Sequence, residues 1–379
     1  MIEEELLARI LDLAVEIQQI PAPTFDERAR AEFVQNQFEA QGLLDVSVDE
    51  LGNVFSRFPG SGSAPPLIVT AHLDTVFPAS TPLRARREGE RIYGPGIGDN
   101  ALGIAGLFGL YWMIKENYSA RSVVSTAQRS DLPGDLWFIA NTGEEGLGNL
   151  AGMRAVVDRF QDKVTAYLVL EGMALGQVYH RALGVKRYRI SANTTGGHAW
   201  VDFGRRSAIH ELARLVVSLD EINLPQKPRS TLNIGIIHGG TSINTIAADA
   251  YLELDLRSEG PEELETLVGI VNDRISQARR TEVEFSLEAI GQRPAGELPE
   301  KHPLVQLAKR CLLTQGIQPN FTIGSTDANV PLSRGFPSIC LGLSTGYGAH
   351  TKDEYINTRP LAFGIQQIVA FVEGVFSTL

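Results

Sequence analysis

Seven residues able to do acid–base or metal chemistry sit just past apolar runs or in glycine-rich turns of this 379-residue chain. Leu67-Ile68-Val69-Thr70-Ala71 leads into His72-Leu73-Asp74. Leu136–Asn141 leads into Thr142-Gly143-Glu144-Glu145, and Ala166–Leu170 into Glu171. Between the first two lies Gly94-Pro95-Gly96-Ile97-Gly98-Asp99-Asn100, and near the C-terminus lies Gly348-Ala349-His350. Short apolar runs without alternation read as strands buried on both faces. In open α/β sheets, ligands bind beyond the carboxyl ends of such strands. Five carboxylates converging there beside two histidines repel one another, and cations remove that repulsion. The expectation is a metal site, with two ions.

Taken singly, the residues carry rival readings. His72 and Asp74 are two apart, so an extended strand points both the same way. Asp74 can then accept the second N–H of His72 and fix its orientation, and a buried His–Asp hydrogen bond explains the pair equally well. Asp99 follows a glycine-rich turn and precedes an apolar helix. It can be a helix N-cap, a bridge between two metals, or both. Gly96-Ile97-Gly98-Asp99-Asn100-Ala101 also matches the G-x-G-x-x-A dinucleotide fingerprint. The charged stretch Arg84–Arg91 before it makes a poor buried strand, and an aspartate inside a phosphate cradle repels pyrophosphate. Glu144-Glu145 is the sharper signal. Neighbouring side chains diverge, so one carboxylate can bind metal while the other takes a proton from water; a solvated loop pair is the plain alternative. Glu171 and His350 gain meaning only from the others.

The elements that must position these groups are legible along the chain. Residues 2–20 carry apolar positions at helical spacing, stopped by Pro21 and Pro23. A second helix is expected over 26–41, and strands at 46–48, 54–58 and 67–71. The run from Ala101 to Ile114 reads as a buried helix, too short to span a bilayer. Residues 119–134 read as a surface loop. Near Gly176 the pattern changes to alternation, as in an antiparallel sheet with one wet face. Strands at 232–237, 250–257 and 283–290 and helices at 207–222 and from Pro261 make a small α+β layer. After Arg293-Pro294 the strand–helix alternation resumes, with a helix at 303–315, a strand at 337–343 and a final helix at 361–378. The expected organisation is a discontinuous α/β domain, 1–177 and 293–379, with an insertion at 178–292.

Composition sets outer bounds. Net charge is −11, which argues against nucleic acid or an anionic membrane as partner. The N-terminal Met1-Ile2-Glu3-Glu4-Glu5 lacks a basic segment and apolar core of a secretion signal. Two cysteines, Cys311 and Cys340, cannot build a disulfide framework and fit a reducing cytoplasm as core thiols.

The order His72-x-Asp74, Asp99, Glu144-Glu145, Glu171, His350 resembles the M20 family of dinuclear zinc peptidases and deacylases, with features similar to both carboxypeptidase G2-like and peptidase T-like branches. Ala71–Pro78, Gly94–Asn100 and Thr142–Gly146 resemble three of its signatures, and Thr195-Gly196-Gly197-His198-Ala199 resembles the start of its lid domain. The resemblance implies a phosphorylase/hydrolase-like zinc-peptidase α/β domain with an inserted ferredoxin-like α+β lid through which the chain forms a homodimer. It implies two Zn2+, with Co2+ or Mn2+ as substitutes. Asp99 would bridge them, His72 and Glu171 completing one site and Glu145 and His350 the other. Glu144 would be the general base that activates metal-bound hydroxide and protonates the leaving amine, and Asp74 would orient His72. His198 would steady the oxyanion, often across a dimer. Asn244 and Arg257 would bind substrate, the arginine gripping a carboxylate. The Ser325-Thr326-Asp327-Ala328-Asn329 loop resembles a substrate pocket whose backbone N–H groups face the substrate. Without the resemblance, His198, Asn244 and Arg257 read as turn and surface residues.

The implied activity is amide hydrolysis in a small carboxylate-bearing substrate, by a di/tripeptidase or carboxypeptidase. An N-acyl-amino-acid deacylase is the near alternative. A non-catalytic metal- or peptide-binding relative predicts loss of a ligand or of the base, and all seven positions are intact. A nicotinamide oxidoreductase rests on the glycine match alone.

Overall fold

The apolar runs that lack alternation become the centre of one large sheet. In the computed structural model, which describes residues 2–119 and 131–379, the sheet has nine strands. Their order is Leu44–Val48, Val54–Phe58, Leu136–Asn141, Leu67–His72, Ala166–Glu171, Ser338–Gly342, Gln177–Ala182 and Gly296–Glu297, with Asn320–Gly324 also pairing Gln177–Ala182. The pairings among Leu136–Asn141, Leu67–His72, Ala166–Glu171 and Ser338–Gly342 are parallel, while those of Val54–Phe58 and that of Ser338–Gly342 with Gln177–Ala182 are antiparallel. Register decides what gathers at the carboxyl edge. His72 stands beside Asn141, Thr70 beside Val169, and Gly342 beside Glu171. His72 and Glu171 therefore end adjacent strands at one level.

Both faces of the sheet are covered, which is why its central strands need no polar side. Leu67, Val69 and Ala71 pack with Ile10, Leu107, Phe108 and Phe371 from the helices Glu4–Gln18, Leu102–Ser119 and Leu361–Val375. Ile68 faces the other way, with Met153, Val156 and Val157 of the helix Ala151–Phe160. Residues 97–118 are long and apolar enough to cross a bilayer by composition, but 83% of their most apolar window is buried inside the protein. This is a core helix. Residues 120–130 of the expected surface loop lie outside the described residues.

The chain divides into two compact units, residues 1–182 with 297–379, and residues 183–296. The dividing points differ from the expected 178 and 292. The alternation that begins at 178 belongs partly to Gln177–Ala182, which pairs with Ser338–Gly342 and Asn320–Gly324 of the large sheet. Its alternating burial arises at the sheet's margin. The second unit is a four-stranded antiparallel sheet ordered Ser230–Gly239, Asp249–Ser258, Gly184–Asn193, Glu284–Arg293, with the helices Ala208–Asp220 and Pro261–Ala278 packed on it. Two β-α-β passages with that strand order make the ferredoxin-like topology.

Two glycines test the packing with opposite signs. Gly364 presses on the main chain of Leu343, where an added methyl would overlap the carbonyl. Gly364→Ala is expected to cost about 1–3 kcal/mol or more. Gly269, exposed in the helix Pro261–Ala278, has open space around it, and Gly269→Ala is expected to stabilise by about 0.4–1 kcal/mol. Thermal and urea unfolding followed by circular dichroism reads both; equal shifts would contradict the packing described.

Candidate metal centre

Each sequence-predicted donor of the first unit arrives at the carboxyl edge of the large sheet. His72 and Glu171 end their strands. Asp99 lies in the turn Ile97–Ala101 at the start of the apolar helix, with non-helical backbone angles, and its two carboxylate oxygens face the imidazoles of His72 and His350. Glu144 and Glu145 follow Gly143, whose left-handed backbone turns the chain away from the strand. His350 takes a left-handed conformation (φ 65°), unusual for a residue with a Cβ; such backbone tends to persist at functional sites.

Two groups of potential donors result, and Asp99 belongs to both. Nε2 of His72 lies 3.1 Å from Oδ1 of Asp99 and 3.8 Å from Oε2 of Glu171. Nε2 of His350 lies 3.1 Å from Oδ2 of Asp99 and 3.1 Å from Oε1 of Glu145. In each group the donor atoms lie within 4.8 Å of one another. Ligands about 2.0–2.1 Å from a tetrahedral ion stand roughly 3.3 Å apart, so the observed spacings suit one ion per group. Nitrogen with carboxylate oxygen is also a donor set that zinc, cobalt and manganese accept.

The electrostatics show what the imidazoles do in the protein alone. Burial would lower the pKa of His72, but the carboxylates of Asp74, Asp99 and Glu171 outweigh it and hold it well above its usual value. Hydrogen bonds to Asp99 and Glu145 push His350 up to about 10. Burial alone would raise Asp99, yet the two histidines hold its carboxyl well below the usual range. Burial leaves Glu171 raised. Protonated imidazoles thus supply the positive charge that the carboxylates demand.

Asp74 is engaged through both its main-chain and its side-chain oxygens. The nearer acceptor for Nδ1 of His72 is the main-chain oxygen of Asp74 at 3.1 Å; the carboxylate lies at 3.4 Å and helps to hold the imidazole protonated. Either acceptor leaves Nε2 to face the donor group. The Asp74 carboxylate itself accepts the backbone N–H groups of Glu144 (2.9 Å) and Glu145 (2.8 Å) and the hydroxyl of Thr24 (2.9 Å). It therefore fixes the turn from which Glu144 and Glu145 diverge, and both are buried.

Other positioning groups gave little sign in the sequence. Asn100 donates to the Leu170 carbonyl and accepts from the Gly172 N–H, bracketing Glu171. The buried Arg30 donates to the carbonyls of Ile20 and Leu73, and Glu27 accepts from Gly143 N–H. Glu354 accepts from the N–H groups of Gly96, Gly98 and Asp99. That carboxylate fills the glycine-rich cradle which otherwise resembles a phosphate-binding turn. The loop at 325–329 also differs from expectation. The N–H groups of Thr326 and Ala328 are taken by Asn329 and Thr326 side chains, so those two do not face a substrate. Asp327, pushed up to about 7 by burial, accepts from Asn141. Cys311 and Cys340 are buried free thiols.

The remaining predicted residues lie in the second unit. His198 pairs with Thr245 in a short ladder, and the Ala199 N–H donates to the Asn244 carbonyl, so His198 and Asn244 are neighbours. Nδ1 of His198 accepts from the N–H groups of Trp200 (3.2 Å) and Val201 (3.3 Å), which leaves Nε2 as the donor. Arg257 is not with them. It lies at the far end of the strand Asp249–Ser258, opposite Thr231 and Val185, roughly 20 Å or more along the strand from the hairpin end. Its Nε contacts Asp255 at 2.7 Å.

Residues 68–374 match Peptidase family M20/M25/M40. The chain is 27% identical to carboxypeptidase G2 of Pseudomonas sp. (strain RS-16) over 80% of this chain and 72% of that protein. It is 24% identical to a succinyl-diaminopimelate desuccinylase of Corynebacterium glutamicum over 92% of each. A solved tripeptidase of Staphylococcus aureus superposes with a TM-score of 0.81 at 24% identity, over 98% of this chain and 99% of that one.

The protonated centre carries a pH signature in metal-free protein. His350 titrates near its usual 6.5 when unfolded and at about 10 when folded. A raised folded value contributes stability that is complete below the unfolded pKa and lost as pH rises through the folded one. Urea unfolding of chelated protein should therefore show a loss of stability from about pH 6.5 to pH 10, and His350→Ala should flatten that loss. Parallel pH profiles for the two proteins would contradict the ion pairs described.

Proposed function

The chain belongs to Peptidase family M20/M25/M40, and on that premise we propose that it hydrolyses an amide bond in a small carboxylate-bearing substrate with the help of two divalent ions. The observation that carries the reading is Asp99, whose two oxygens each lie 3.1 Å from the imidazole of a separate donor group. A carboxylate shared in this way suits a bridged pair of cations. His72 and Glu171 would complete one position, Glu145 and His350 the other, with zinc as the expected ion. When bound, such ions lower the pKa of water toward about 7 and polarise a carbonyl oxygen.

The residues of the chain do the rest. Glu144 takes a proton from the attacking water as its oxygen bonds to the amide carbon. It returns that proton to the nitrogen as the C–N bond breaks. Asp74 holds the Glu144–Glu145 turn through both N–H groups, so the base stays aimed while its neighbour would hold a metal. His198, with Nδ1 occupied by backbone donors, offers Nε2–H to the oxygen that gains charge. Arg257, half exposed beside Asp255, keeps donors for a substrate carboxylate.

The separation of Arg257 from His198 and Asn244 within one unit supports a dimer. A small substrate touched by both ends would receive them from two copies of the chain. The tripeptidase and carboxypeptidase relatives favour a di/tripeptidase or carboxypeptidase, and the desuccinylase relative supports N-acyl-amino-acid deacylation as the second reading.

Metal content per chain, measured with hydrolysis of di- and tripeptides and N-acyl amino acids before and after chelation, tests the proposal. About two ions per chain are expected, with activity lost on chelation and restored by zinc, cobalt or manganese; no metal under any loading condition would sink it. Glu144→Gln should keep both ions and lower kcat by about 10²–10⁴-fold. Undiminished hydrolysis by His198→Ala would remove that residue from the mechanism.

A further inference from the structure

We infer that Glu354 is the positioning residue for the shared carboxylate of Asp99, and through it sets the spacing of both donor groups. The inference rests on the two-metal reading. Glu354 is fully buried. Its Oε2 accepts from the Gly96 N–H at 2.9 Å, and its Oε1 accepts from the N–H groups of Gly98 (2.7 Å) and Asp99 (2.9 Å). The left-handed backbone of Gly96 (φ 75°) lets these N–H groups converge into a concave anion site. The main chain adds to the joint: the Gly94 N–H donates to the Glu354 carbonyl at 2.9 Å.

Two features separate this from an ordinary loop anchor. Glu354 stands four residues past His350, so one side chain ties the loop that delivers His350 to the loop that delivers Asp99. A buried carboxylate is also costly unless its acceptor sites are filled, and here three N–H donors fill them without any cation. Asn100 offers the contrast. It brackets only Glu171, a member of one group. Asp99 serves both groups, and an error in its placement displaces both. Productive geometry at such sites tolerates about 0.5 Å.

The test is zinc affinity at each site, measured on the full chain by competition with a chromophoric chelator for wild type, Glu354→Gln and Glu354→Ala. Far-UV circular dichroism and the unfolding midpoint of each metal-free protein are recorded alongside. Gln keeps an oxygen for Gly98 and Asp99 but sets an amide NH2 against the Gly96 N–H; Ala loses all three bonds. The expected order of affinity is wild type, then Gln, then Ala, with both sites weakened together and Ala about 10–100-fold weaker than wild type. The visible spectrum of the cobalt-loaded Gln variant should shift as well. Wild-type affinity in the Ala variant would overturn the inference, as would weakening confined to the His350 site. If the Ala variant does not fold, the Gln variant decides by the same criterion. Absence of any bound ion in wild type would instead remove the two-metal reading itself.

Discussion

Crowded negative charge at the carboxyl ends of the parallel strands in a mixed sheet is the constraint that organises this protein. The carboxylates there fall into two kinds according to what satisfies them. Asp74, Glu354 and Glu27 accept backbone N–H groups and, in the case of Asp74, the Thr24 hydroxyl. Asp99, Glu145 and Glu171 face imidazoles. The first kind fixes loops; the second is left to meet whatever cation is present, protons included. Neither kind works without the other. Hydrogen bonds from backbone to Asp74 aim Glu144 and Glu145, and those to Glu354 hold the turn that carries Asp99. The buried guanidinium of Arg30, bonded to the Leu73 carbonyl, adds a permanent positive charge below the cluster. Burial lowers its pKa, but only to about 10.

Several candidate donors were legible because they follow an element with a strong periodic signature. Uninterrupted Val, Ile and Leu runs mean strands buried on both faces, and a polar residue at the end of such a run has few places to go. His72, Glu145 and Glu171 stand at or just past such runs, but Glu171, like Asp99 and His350, gained meaning only from the ensemble. The groups that hold the donors were not legible. Glu354 is one more acid in a polar loop, and nothing local records that N–H groups 255 or more positions away in sequence will converge on it. The strand Gln177–Ala182 was assigned to the wrong sheet for a related reason. Alternation reports a half-exposed strand and does not report which partners it will find. Two backbone donors of the 325–329 loop, Thr326 and Ala328, are not free as expected, because Thr and Asn side chains can satisfy a loop from within.

In the second unit the same sheet presents different chemistry at its two ends. The hairpin of His198 and Asn244 stands at one, with Trp200, Phe203 and Ile243 exposed around it; the Arg187–Asp255–Arg257 cluster stands at the other. A rigid four-stranded sheet keeps such ends apart.

The order of the strands has a consequence for how the chain is made. Ser338–Gly342 lies between Ala166–Glu171 and Gln177–Ala182 in the large sheet, although the whole second unit separates them in sequence. A growing chain that has passed residue 182 holds Asp99, Glu145 and Glu171 but has an open, apolar strand edge beside Glu171. It has neither His350 nor Glu354. The second unit can complete its own sheet while that edge waits. On the ribosome the anionic cluster therefore exists before the groups that finish it, and closure of the sheet and completion of the centre fall together once residues 338–354 have been made.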